Sequence, residues 1–79
     1  MSNEAFDKFL LKLFEKSAAK DESSYFNTYK IGIEIGIFDE TEINRIVRIL
    51  RSDGFVTKDA DAKIRITEKG KKRLENNQI

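Results

Sequence analysis

The residues best able to do chemistry in this 79-residue chain are Asn44, Arg45, Arg48 and Arg51, which fall at i, i+1, i+4 and i+7. No carboxylate interrupts the stretch from Asn44 to Ser52. A guanidinium fork pairs bidentately with phosphate or with guanine N7 and O6, and an Asn amide with adenine N6 and N7. Spacing of this kind on a helix collects side chains on one face. The chemistry available is therefore non-covalent recognition, strongest toward an anion.

Other chemistries are poorly supplied. The chain has no His and no Cys. Thiol nucleophiles, Ser-His-Asp relays, structural zinc and haem ligation are excluded together. Carboxylates, Lys and Tyr remain as acid–base candidates, but none forms a recognisable pair, and a domain this small has little volume for a pocket. The expectation is no enzyme, no cofactor and no metal. Asp59-Ala60-Asp61 reads as turn chemistry, because two carboxylates without a third ligand do not make a Ca²⁺ loop. Gly32-Ile33-Glu34-Ile35-Gly36 is not a phosphate loop, since it lacks the preceding strand and glycine pattern; its small residues suit close packing.

Net charge is only +1, but it is unevenly distributed. Residues 1–40 carry five Lys against eight Asp and Glu, whereas residues 41–79 carry ten Lys and Arg against six. Arg45, Arg48, Arg51 and Arg65 all lie in that second half. Such polarity can present one basic face to a polyanion. With 39% hydrophobic and 37% charged residues the chain reads as one folded domain, its thin core dependent on Phe and Ile. No apolar run approaches the roughly 20 residues that span a bilayer. The start, Met1-Ser2-Asn3-Glu4, lacks the pattern of a signal peptide, so a cytoplasmic protein without membrane contact is expected.

These side chains need elements to hold them. Phe6, Phe9, Leu10, Leu13 and Phe14 follow i, i+3, i+4, i+7, i+8 spacing and predict an amphipathic helix over about 4–19, capped by Ser2 or Asn3. Tyr25-Phe26 is either a short strand or the approach to a helix, and Tyr25, Phe26 and Tyr29 read as core aromatics. Asn27 or Thr28 can cap a second helix over about 28–35, with Gly36 as its left-handed terminator. Asp39-Glu40-Thr41-Glu42 has capping-box form, with Glu42 reaching back to the cap. It opens a helix over about 40–53 whose apolar face is Ile43, Ile46, Val47 and Leu50, ended by Gly54. Beyond Gly54 the period falls to two. A hairpin is predicted over about 55–67, and a last helix over about 68–76, capped by Thr67 and held by Leu74, precedes a frayed tail.

The ordered set resembles the winged helix-turn-helix family common among prokaryotic transcription regulators, archaeal ones included. The resemblance is carried by Ile31-Gly32 and Ile35-Gly36-Ile37, then the run Ile43 to Leu50, then Asp53-Gly54-Phe55-Val56. It continues through Ile66-Thr67-Glu68-Lys69-Gly70, which look like the wing exit and closing helix, and covers roughly residues 25–75. It implies an α+β, mostly helical fold: a three-helix core, a two-stranded hairpin wing and a short C-terminal helix. It also implies sequence-specific binding of double-stranded DNA by a small regulator, with the third helix in the major groove. Asn44, Arg45 and Arg48 would then read base edges, and Thr41 and Arg51 would contact phosphates. Lys58, Lys63 and Arg65 of the wing would contact the backbone only. Asp59 and Asp61 neutralise the loop where such wings usually carry Arg or Lys.

Lys69, Lys71, Lys72 and Arg73 either extend the basic footprint or keep the tail soluble. A homodimer reading two half-sites is the expected assembly, with Phe6, Leu10 and Leu13 available for its interface if the core does not use them. No small-molecule ligand is expected. The competing reading is a protein–protein assembly module on the same fold, marked by an exposed apolar patch.

Overall fold

The computed structural model describes residues 3–20, 24–59 and 62–76. The Ser2 cap, residues 21–23, the loop residues Ala60 and Asp61, and the tail at 77–79 lie outside that set. Among the described residues the fold is α+β and mostly helical. Its elements run α1 (Asn3–Ala19), β1 (Phe26–Asn27), α2 (Thr28–Glu34), α3 (Glu40–Ser52), β2 (Val56–Lys58), β3 (Lys63–Ile66) and α4 (Glu68–Asn76). The strands form one antiparallel sheet in the order β1-β3-β2. Phe26 pairs with Ile64, and Val56 with Ile66. The hairpin expected from the sequence is therefore joined by a third strand at Phe26–Asn27.

One core lies between the helices and the inner face of the sheet. It buries Phe9, Leu10 and Leu13 from α1, Ile31 from α2, Ile43, Ile46, Val47 and Leu50 from α3, and Val56, Ile64, Ile66 and Leu74. Phe6, Phe14, Phe26 and Tyr29 pack against it, half-buried. Burying each large aliphatic side chain is worth about 1.5–3 kcal/mol, so this cluster supplies most of the stability of so short a chain. Leu10 and Leu13 are fully buried and Phe6 packs on the core, so the apolar face of α1 is not available to a dimer. The expected α1 interface is therefore corrected: a single helical stripe this narrow cannot serve both the interior and a partner. Ser17 also lies on the buried side, and its hydroxyl donates to the Leu13 carbonyl at 2.9 Å, which satisfies it within the helix.

Local chemistry sets the element ends. Asn27 caps α2, its side-chain oxygen accepting from the Tyr29 and Lys30 amides at 2.9 and 3.2 Å. Both α2 and α3 end in a Schellman motif. Ile37 N–H donates to the Gly32 carbonyl at 2.8 Å and Gly36 N–H to Ile33 at 3.0 Å. Phe55 N–H donates to Leu50 at 2.9 Å and Gly54 N–H to Arg51 at 3.0 Å. Gly36 (φ 89°) and Gly54 (φ 80°) occupy the left-handed positions these motifs require. Thr67 caps α4, accepting from Gly70 N–H at 3.1 Å while its hydroxyl donates to the Gly54 carbonyl at 2.6 Å. That bond ties the end of α3 to the start of α4 across the base of the hairpin.

The approach of α2 to α3 depends on one missing side chain. A Cβ at Gly32 would lie 2.5 Å from Ile43 Cδ1 and 2.7 Å from Ile43 Cγ1. Ile43 is 1% exposed and has nowhere to go. Gly32→Ala is expected to lower stability by about 1–3 kcal/mol through overpacking, despite a helix-propensity gain of about 1 kcal/mol. Asn27→Ala should cost about 1 kcal/mol as a lost cap. Thermal or denaturant unfolding measures both, and a stabilised Gly32→Ala would show that the helices can separate without cost.

Candidate nucleic-acid interface

The buried stripe of α3 decides where its other side chains go. With Ile43, Ile46, Val47 and Leu50 inward, Thr41, Asn44, Arg45, Arg48 and Arg51 are all exposed. At about 100° per residue these five fall within about 120° of arc. They share one outward face. Asp39 caps the helix, accepting from Thr41 N–H at 3.0 Å.

The members of that face are not equivalent. Glu42, expected to reach back to the cap, instead holds Arg45: Nη2 lies 2.6 Å from Oε2 and Nε 3.3 Å from Oε1. The bidentate fork at i, i+3 outcompetes the capping role and neutralises Arg45 in place. Asn44 is held differently, its side-chain oxygen accepting from the Tyr29 hydroxyl at 2.9 Å. That bond spans from α2 to α3 and orients the amide. Among the described residues, Arg48 and Arg51 are paired with no carboxylate. They are the uncompensated charge of the helix, and they lie in its C-terminal half. The N-terminal turn is acidic, with Glu40 exposed beside Asp39.

The hairpin cations do not share one face. Lys63 and Arg65 alternate with the buried Ile64 and Ile66 and so lie on the outer face of the sheet, whereas Lys58 pairs with Ile64 and lies on the inner side, exposed at its edge. Arg65 is half-buried, with its guanidinium carbon 5.6 Å from the centre of the Tyr25 ring and its Nε buried without a hydrogen-bond partner. It is engaged within the molecule. Tyr25, expected in the core, is instead 39% exposed, because its neighbour Phe26 takes the inward position in β1.

In α4, Lys69 and Arg73 lie over the Phe55 ring at 5.6 and 5.5 Å, and Arg73 reaches Asp7 at 3.3 Å. Both cations help fix α4 to the body. Among the described residues no group of three potential metal ligands converges.

Sequence reasoning missed four participants. Tyr29 orients Asn44, a contact between helices that no local pattern reveals. The Glu42–Arg45 spacing was visible as a possible ion pair, but the capping-box reading absorbed Glu42. Phe38, between α2 and α3, is 75% exposed, and Ile33 of α2 is 53% exposed. The chain matches no family model, no characterised protein and no solved structure.

The Tyr29–Asn44 bond can be tested alone. Tyr29→Phe and Asn44→Ala should each destabilise by roughly 0.5–1 kcal/mol, and the double variant by less than their sum. Additive losses in a double-mutant cycle would mean that the two groups do not act on each other.

Proposed function

We propose that this chain binds double-stranded DNA, with α3 entering the major groove as the second helix of a winged helix-turn-helix. The observation that carries the reading is the outward face of α3, where Arg48 and Arg51 stand unpaired beside an oriented Asn44. The supporting architecture is α2 joined to α3 by a turn through Gly36, followed by the β2–β3 hairpin. The acidic first turn of α3 repels phosphates, so contact concentrates on its middle and C-terminal half. Asn44 and Arg48 read base edges there, and Arg51 takes phosphate. Arg45 joins only by leaving Glu42. Thr41 contributes a phosphate contact at the rim, and Lys58 and Lys63 a weak one from the hairpin. The role proposed is that of a small, non-enzymatic, cytoplasmic transcription regulator. It acts as a dimer whose interface lies away from the buried stripe of α1, reading half-sites about one helical turn apart. Among the described residues no helix is long and apolar enough to cross a membrane.

A second reading rests on Phe38 and Ile33. Large apolar side chains this exposed, on either side of one turn, are the mark of a protein-binding surface. An assembly module on the same fold would use that turn rather than the arginines.

Binding to a labelled duplex, followed over about 50–200 mM salt, separates the two readings, because phosphate neutralisation gives a log–log slope of about −0.9 per contact. Arg48→Ala with Arg51→Ala should weaken binding by tenfold or more and flatten the slope by about one contact's worth, that of Arg51. Glu42→Gln, which frees Arg45, should tighten binding severalfold. Wild-type affinity in the double Arg variant, with the fold intact, overturns the assignment. Loss of a captured protein partner in Phe38→Ser, with DNA binding absent throughout, favours the second reading.

A further inference from the structure

A cleft with a volume of about 580 Å³ opens between the C-terminal end of α1, β1 and the start of α2. This is within the range of small-molecule sites and far more than a single inorganic anion needs. Its walls combine two chemistries. Lys16, Lys20 and Lys30 line it with ammonium groups, while Tyr25 and Phe26 line it with aromatic surface. Among the described residues the lining contains no carboxylate. Lys16 is partly spent, since its ammonium lies 2.7 Å from Glu34 Oε2. Lys20 and Lys30 have no carboxylate partner among the described residues.

Two further features equip the site. Asn27 also lines the cleft, and capping α2 occupies its side-chain oxygen, leaving the amide nitrogen as a donor. Arg65 lies over the Tyr25 ring at 5.6 Å, yet the residue remains 39% exposed. A propped, accessible aromatic beside unpaired ammonium groups suits a planar ring that carries an anion. A phosphomonoester carries a charge of about −1.5 to −2 at neutral pH, which Lys20 and Lys30 together balance.

We propose that this cleft binds a mononucleotide, its base against Tyr25 and Phe26 and its phosphate between Lys20 and Lys30. The site shares no residue with the outward face of α3 and stands whether or not that face binds DNA. A mononucleotide bound here would run against the expectation that no small-molecule ligand binds.

The chain has two Tyr and no Trp, so in a Tyr29→Phe background the emission comes from Tyr25 alone. Titrating that variant at low salt with AMP should give saturable one-to-one quenching. Adenosine and inorganic phosphate, each supplying half of the recognition, should bind roughly tenfold more weakly or worse. Lys20→Ala with Lys30→Ala should lower AMP affinity at least about tenfold while leaving the thermal midpoint in place. Amide shifts in the wild-type protein should centre on Tyr25, Asn27 and Lys30. The proposal is overturned by any of three results: no saturation by AMP in the low-millimolar range, inorganic phosphate binding as tightly as AMP, or AMP affinity indifferent to the loss of both lysines.

Discussion

The approach of Ile43 to Gly32 governs the rest of this molecule. With no side chain at Gly32, the α3 backbone comes close enough for Ile43, Ile46, Val47 and Leu50 to enter the core as one stripe. A helix packed along such a stripe has no rotational freedom left, since a turn of even one residue would expose isoleucine and bury arginine. Burying an unpaired guanidinium costs several kcal/mol, far more than any single surface contact returns. The outward direction of Asn44, Arg48 and Arg51 is thus a consequence of packing. The two Schellman ends and the Thr67 bond to the Gly54 carbonyl hold the helix along its axis as firmly as the stripe holds it in rotation.

On that fixed helix, charge is graded rather than uniform. Asp39, Glu40 and Glu42 crowd the first turn, where they complement the helix dipole, and Glu42 cancels Arg45. Positive charge survives only further along, at Arg48 and Arg51. Helix capping therefore uses one end of this element, and the proposed recognition would use the other. The turn before it adds a competing feature, because Phe38 and Ile33 expose apolar surface beside the acidic end. A molecule that binds a polyanion with the far end of α3 could still meet a protein with the near end.

Much of the architecture could be read from residue order, for identifiable reasons. The helix α3 combines a capping Asp, an unbroken apolar period and a terminal Gly, three local signals that agree. Gly36 and Gly54 announced left-handed turns, and Thr67 a cap, because each acts within four residues of its own position. What escaped was non-local. Whether Tyr25-Phe26 would join a sheet depended on Ile64, nearly forty positions away, and the pairing decided which of the two aromatics faced inward. Arg65 looked like a free cation because its partner Tyr25, just before β1, lies forty positions away in the chain. The apolar face of α1 looked divisible between core and interface until the sheet and α4 closed over it. The winged helix-turn-helix resemblance singles out α3, while only the ion pairs rank its arginines.

The most direct measurement is a map of backbone amide shifts when a short DNA duplex is added to the labelled protein at low salt. The account predicts shifts concentrated on Asn44, Arg48 and Arg51, with smaller ones at Thr41 and little change in the apolar half of α1. Shifts centred on Ile33 and Phe38 with α3 silent, or no shifts at all, would contradict it.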